Sequence, residues 1–245
     1  MSLPTIQTRI TEQRVIAPAV CEIVLQPLGP RIHFAPGQWI SLHLPIGPRP
    51  PLVRAYSLAL PEAPSGELVL CTDLVPGGRG STYLHQLAVG TELTIAGPFG
   101  NFILPEPPPS QLLLAARFTG IVPLRCILRQ LAARGWPVSA TTLVYSAATP
   151  QALVYHAELT ALAENEPGFT YFPAPGVGDA AGWANGELPE LPLIRSALRS
   201  LRAAAPAANL LPMVSGVKDF VRPVRQLLMN EGGFERRAVR CENYD

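Results

Sequence analysis

The 245-residue chain carries 19 Lys+Arg against 18 Asp+Glu, a formal net charge of +1, which excludes a broad electrostatic surface for nucleic acid or anionic membrane. Apolar residues make up 48% of it, yet the longest apolar runs are broken by Arg117, Arg125 and Arg129 before they reach the roughly 18 residues that a membrane span requires. The length suits two ordinary domains, each able to bury its own core.

The chain opens with MSLPTIQTRITEQR, which alternates and carries charge. A signal peptide has a basic start, an apolar middle and a small-residue cleavage site, so a cytoplasmic protein is expected. From there to residue 106 come TRITEQRVI, CEIVLQP, GQWISLHLP, VRAYSLAL, ELVLCTDL and TELTIAGPFG. These are short segments of alternating or β-rich composition separated by Pro and Gly, the pattern of an antiparallel barrel or sandwich. One helix is expected among them, at GSTYLHQL, with Ser81 as its cap and Leu84 and Leu87 on one face. NFILPEPPPSQ, with Pro105, Pro107, Pro108 and Pro109, continues neither a ladder nor a helix and reads as the linker between domains 1–106 and 110–245.

Beyond it strands and helices alternate. QLLLAA, SATTLVYSA, FTYFPAP and NLLPMVSG read as strands; IVPLRCILRQLAARG, PQALVYHAELTALA, ELPLIRSALRSLRAAA and VKDFVRPVRQLLMNEGG read as helices; RRAVRCENY closes the chain. Repeated βα units imply a parallel sheet covered by helices. Ligands of such sheets sit at the carboxyl ends of the strands, here the turns after Ala116, Ser146, Pro173 and Ser215.

Cys21, Cys71, Cys126 and Cys241 lie far apart, with no CxxC pair to hold zinc or an iron–sulfur cluster. His33, His43, His85 and His156 lack ligand spacing, so no metal is expected. Two stretches of the first half do point to a ligand. In RAYS, Arg54 to Ser57, alternation puts Arg54 and Tyr56 on one side, where a guanidinium clamps phosphate and a phenol ring covers a flat heterocycle. In VPGGRGSTYLHQL, glycines lead into a helix start whose free N–H groups attract an anion.

In order and spacing, PGQWISL, RAYSLA, VPGGRGSTYLHQLAVGTEL, GPFGNFIL and TGIVPLRCILRQL resemble the ferredoxin–NADP reductase superfamily of flavoproteins over nearly the whole chain. The resemblance implies a β-barrel domain that binds flavin and an α/β domain with a five-stranded parallel sheet that binds nicotinamide nucleotide. Arg54, with Ala55 beside it, would contact the flavin pyrophosphate. Tyr56 would pack along the ribityl chain and ring, and Ser57 would hydrogen-bond the reactive flavin nitrogen. Gly78, Gly80 and Ser81 would cradle the pyrophosphate, with Thr82 close by, and Tyr244 would lay its ring over the flavin or simply end a strand. FAD is expected ahead of FMN. The resemblance places Thr119, Gly120 and Gly216 at the nucleotide and Ser215 where hydride is exchanged.

Three turns depart from the family pattern. Where relatives have GGTGIAP the chain has RFTGIVP, so Arg117 and Phe118 replace two glycines that permit unusual backbone angles and close ligand approach. Arg117 is either solvated or a substitute phosphate partner; Phe118 either fills core space or lies over a ligand pocket. Ser215, Gly216 and Val217 stand in place of CGP, which implies slower or altered hydride transfer. Ala148 stands where many NADP-binding relatives have an Arg, and Ala supplies no charge-assisted hydrogen bond to a 2′-phosphate, so NADH is favoured over NADPH. Two readings follow. One is an FAD-dependent oxidoreductase that passes electrons from NAD(P)H to a separate ferredoxin, flavodoxin or oxygenase component. The other is a flavin-binding electron-transfer or interaction subunit whose nucleotide site is degenerate and which a protein partner reduces.

Overall fold

The computed structural model describes residues 5–47, 50–176, 188–205 and 209–244. It divides into two units, Met1–Ile103 with Arg125–Gln130, and Leu104–Leu124 with Leu131–Asp245.

In the first unit β1 (Thr5–Ala17), β2 (Val20–Pro27), β3 (Trp39–Leu44), β4 (Leu52–Ser57), β5 (Leu68–Asp73) and β6 (Glu92–Phe99) form one antiparallel sheet in the order β4-β3-β6-β1-β2-β5. Every second residue points inward: Ile23 and Leu25 of β2 and Ile40, Leu42 and Leu44 of β3 are fully buried in one cluster with Ile10, Leu70 and Ile95. Each such burial contributes about 1.5–3 kcal/mol, and a slip of one residue would turn the whole set outward, so this face fixes the register. The expected barrel is present as a curled sheet that does not fully close. Among the described residues one bridge, between Leu58 just past β4 and Leu70 of β5, joins the two ends of the sheet, with the Ala59 N–H donating to the Val69 carbonyl at 2.8 Å.

β2 also buries a carboxylate. Glu22 is 1% exposed and lies opposite Arg14 of β1, whose Nε donates to it at 2.7 Å. Arg125 donates from Nη1 at 3.2 Å to Glu22 and at 3.2 Å to the Ala59 carbonyl. Two guanidinium groups offset the desolvation of the acid, and the Glu22 carboxylate in turn raises the Arg14 pKa by hydrogen bonding and charge.

The helix expected at GSTYLHQL is α1 (Arg79–His85). Leu84 is fully buried and Leu87 packs partly buried against the same core. Ser81 is not its cap. Gly78 occupies that position in an extended conformation with no side-chain cap, and Ser81 lies inside the first turn. Its hydroxyl accepts from the Val75 N–H at 3.1 Å and donates to the Gly78 carbonyl at 3.1 Å, so it closes the glycine loop onto the helix.

The second unit is the expected five-stranded parallel sheet. Strands β7 (Gln111–Arg117), β8 (Ala140–Ala147), β9 (Phe169–Pro175), β10 (Leu210–Gly216) and β11 (Arg240–Asn243) stand in the order β11-β10-β7-β8-β9, every neighbouring pair parallel. β7 is buried throughout apart from Arg117, which is why its sequence is a continuous apolar run. Leu113 and Ala115 of β7, Val144 of β8 and Val214 of β10 share one core with α4 (Leu191–Ala204) and α5 (Lys218–Asn230). The intervening Leu112, Leu114 and Ala116 point to the opposite face.

Between β7 and β8 lies α2 (Ile121–Ala133), preceded by a 3-10 turn over Phe118–Gly120. The helix expected from Pro150 onward starts later, as α3 (His156–Asn165). Pro150–Ala152 forms a separate 3-10 turn in which the Thr149 side chain accepts from the Ala152 N–H, and Tyr155 takes a left-handed conformation at φ 62°. A local hydroxyl-to-backbone bond competes with helix propagation there. Among the described residues no helix is long and apolar enough to cross a membrane.

Chain order and strand order change direction at β7. The chain steps outward through β8 and β9, then returns to place β10 on the other side of β7, making a topological switch point between β7 and β10. A Cβ added at Gly120 would lie 2.2 Å from the Ser215 carbonyl oxygen and 2.8 Å from the Gly216 Cα. Both neighbours are backbone, so neither yields cheaply. Gly120→Ala is therefore expected to cost about 1–3 kcal/mol by overpacking, read as a lowered urea midpoint; an unchanged midpoint would show that the turn gives way freely.

Candidate functional site

The two motifs of the first unit come together in space. β4 pairs with β3 along one edge, Arg54 opposite Leu42 and Tyr56 opposite Ile40. Val53, Arg54 and Ala55 are exposed, Tyr56 is half-buried against the core and Ser57 is buried. A Cβ on Gly80 would lie 3.3 Å from Arg54 Cγ and 3.4 Å from both Leu44 and Leu52, so α1 lies directly beside the guanidinium-bearing strand. A Cβ on Gly78 would sit 2.7 Å from the Ser81 hydroxyl. Small residues at both positions leave a shallow cradle, with the Arg54 head in solvent and only its Nη1 turned back, at 2.8 Å, to the Val53 carbonyl. Thr82 is exposed on the next turn position. Burial, helped by nearby Asp73, pushes the Tyr56 phenol up to about 12, so it stays a neutral ring and hydrogen-bond donor at neutral pH. An exposed cation, a neutral aromatic ring and a helix start with glycine at 78 and 80 fit a flat ligand that carries a diphosphate.

In the second unit the residues expected at the nucleotide gather at the carboxyl edge of the sheet. Gly120 abuts Ser215 and Gly216 across the switch point, and a Cβ on Gly216 would lie 3.4 Å from the Arg117 carbonyl oxygen. Gly216 has φ 153°. Thr119 is half-buried in the same turn. Ser215 is fully buried; its hydroxyl faces the Tyr244 phenol at 3.5 Å, and the Tyr244 N–H donates to the Gly216 carbonyl at 3.0 Å. The contacts described for Tyr244 are thus with β10.

Arg117 and Phe118 part company. Arg117 shares the parity of Leu113 and Ala115, and its side chain turns to the α4/α5 face, where its guanidinium stands 5.3 Å over the Phe220 ring. There it meets Glu190 in a bidentate pair, Nε to Oε1 at 2.8 Å and Nη2 to Oε2 at 2.8 Å. The Glu190 side chain is 0% exposed and that of Arg117 13%. The Ser146 hydroxyl, at the end of β8, donates to Glu190 as well. Phe118 is half-buried and holds φ 49°, the left-handed region a glycine would occupy without strain; a bulky residue there costs about 1–3 kcal/mol.

Sequence reasoning placed a ligand turn after Ser146 but missed the bond of that serine to Glu190, and it missed Glu190 and Glu242 altogether. An arginine at the end of a buried strand signals that a partner must exist, but nothing local points 73 positions onward to Glu190. Glu242 lies on β11 in register with Ser215, and burial pushes its carboxyl up to about 7. The folded state then holds a proton that the unfolded chain, with an ordinary carboxyl, has already lost. Stability falls as pH rises from the ordinary carboxylate range through 7. Thermal melts from pH 5 to 8 are expected to decline more steeply for the wild type than for Glu242→Gln; parallel curves would count against a raised carboxyl.

Residues 8–103 match the family model described as oxidoreductase FAD-binding domain. Ferredoxin–NADP reductase B of Sorangium cellulosum is 31% identical over 247 residues, covering 98% of this chain and 97% of that protein. Reductase component 1 of terephthalate 1,2-dioxygenase from Comamonas sp is 32% identical over 167 residues, 68% of this chain but 48% of that protein. The chain thus matches about half of the dioxygenase reductase and nearly all of the Sorangium protein. Among solved structures, ferredoxin–NADP+ reductase from Plasmodium falciparum shares the fold with a TM-score of 0.76 at 15% identity, over 98% of this chain and 96% of that one. The curled antiparallel sheet, the parallel sheet with its switch point and the match along the full Sorangium protein lead to one assignment: the chain belongs to the ferredoxin–NADP reductase superfamily.

Proposed function

We propose that the protein is an FAD-dependent reductase that draws on NADH and delivers electrons to a separate one-electron carrier, a ferredoxin, a flavodoxin or an oxygenase component. The observation that carries this reading is the juxtaposition of Arg54 with the Gly78–Gly80 helix start, in a chain whose relatives are named as ferredoxin and dioxygenase reductases. FAD supplies the exchange needed between such partners, since it accepts a hydride and releases its two electrons singly.

The residues have separable tasks. The Arg54 fork would hold the diphosphate, and the N–H groups of the α1 start would share its charge, Gly80 keeping the helix close to the strand. Tyr56, neutral because it is partly buried, would lie along the ring system, and Ser57 would offer a hydroxyl from a buried position. At the second unit, Gly120 and Gly216 bring backbone rather than side chain to a dinucleotide at the switch point. Ser215 supplies a hydroxyl where a thiol would be more polarizable. Ala148 supports NADH over NADPH. The names of relatives span both nucleotides: the Sorangium protein is an NADP reductase, and a Xanthobacter autotrophicus relative is a ferredoxin–NAD(+) reductase component. A degenerate nucleotide site would draw its support from the altered RFTGIVP and VSGVKDF turns; in the first of these the Arg117 side chain is withdrawn to the α4/α5 face and paired, which supports the nucleotide-using reading. The four cysteines stand as thiols and not in disulfides, in keeping with a reducing, cytoplasmic setting.

Anaerobic mixing with NADH is expected to bleach the visible flavin absorbance faster than mixing with NADPH. Bleaching by neither nucleotide would overturn the proposal, and faster bleaching by NADPH would overturn the part that rests on Ala148. Arg54→Ala is expected to weaken FAD retention about tenfold or more, since it removes charge-assisted hydrogen bonds, measured by flavin release on dilution. Retention equal to wild type would remove Arg54 from the cofactor site.

A further inference from the structure

We propose that Glu190 is a positioning residue for the nucleotide turn: it acts through Arg117, which is a structural pin and not a phosphate ligand. This rests on the reading that the turn after β7 receives the nicotinamide nucleotide.

Three elements converge on the Glu190 carboxylate. It is fully buried immediately before α4, it accepts both arms of the Arg117 fork, and it accepts the Ser146 hydroxyl from the end of β8. Fork-to-carboxylate pairing fixes direction as well as distance, so the end of β7 is tied at once to the end of β8 and to the start of α4. The next residue along the chain is Phe118, held at φ 49°, and two residues further is Gly120, wedged against Ser215. A left-handed phenylalanine persists only where its surroundings over-determine it. The clasp on its N-terminal side and the β7–β10 contact on its C-terminal side do so. The backbone N–H groups that a dinucleotide would meet lie between these two anchors.

The pairing also settles what Arg117 offers a ligand. With Nε and Nη2 on a buried carboxylate and its guanidinium over Phe220, the side chain is held on the α4/α5 face. A phosphate that took over Nε or Nη2 would leave a buried carboxylate without its cation, which is strongly unfavourable.

The test uses the flavin-loaded protein, with NAD+ affinity by titration calorimetry and NADH steady-state kinetics. Glu190→Gln keeps the shape and removes the anion. Positioning predicts that the NAD+ Kd and NADH KM both rise about tenfold while kcat stays within about twofold, with flavin content and chemical reduction by dithionite unchanged. A phosphate-binding Arg117 predicts the reverse, because losing its competitor frees the guanidinium and tightens NAD+. An unchanged or tightened Kd in folded, flavin-loaded Glu190→Gln would overturn the proposal. Should that variant fail to fold, Arg117→Met with Glu190→Leu replaces the buried pair by apolar side chains that keep the packing over Phe220. With the clasp gone it is expected to raise the NAD+ Kd and the NADH KM about tenfold while kcat stays within about twofold, and a Kd within about twofold of wild type would overturn the proposal. Wild-type protein that binds neither nucleotide would refute the functional reading itself, an outcome distinct from wild-type binding that Glu190→Gln leaves untouched.

Discussion

The backbone at Gly120 and the carbonyl of Ser215 approach so closely that no side chain fits between them, and the ligand edge of the second unit follows from that contact. A parallel sheet that reverses its strand order must leave a crevice between the two strands that flank the reversal. In this chain those are β7 and β10. Close approach at the mouth of the crevice demands glycine on the β7 side, and Gly216 answers it on the β10 side. The helix start, the 3-10 turn and the end of β10 are therefore assembled from backbone, which is what a dinucleotide phosphate meets most favourably.

Charge is handled differently on the two sides of that edge. Arg117 and Phe118 stand side by side at the end of β7, and each is accommodated in its own way. Arg117 is turned onto Glu190 and covered by Phe220. Phe118 keeps a glycine-like backbone angle despite its bulk.

Much of this was legible in the sequence. Periodicities of two and of about 3.6 gave the strands and helices, and the change near residue 110 separated the sheet types. The legible part depended on faces: Ile40, Leu42 and Leu44 declare which side is buried without reference to anything distant. What escaped depended on competition or on distance. Ser81 has the chemistry of a cap, but a glycine took that position and the hydroxyl served the loop instead. Pro150 starts a helical pattern, but Thr149 diverts it into a 3-10 turn and α3 begins only after Tyr155. The Glu190 partner of Arg117 and the burial of Glu242 are products of tertiary packing, and no spacing rule reaches them. Of the candidate site, the motifs RAYS and GGRGS were visible as chemistry, while their adjacency through Gly80 and Arg54 needed three dimensions.

The seam between β4 and β5 couples occupancy to cohesion. Among the described residues β4 pairs along its length with β3 alone, and past its end one bridge at Leu58 and Leu70 joins it to the far edge of the sheet. The strand that bears RAYS is therefore an edge, with a row of backbone groups that no neighbouring strand satisfies. A ligand seated on that strand favours the folded state by mass action in proportion to how tightly it is held. The cofactor would then serve as a missing stave of the barrel, and the empty protein would be the form most exposed to edge-to-edge pairing and proteolysis.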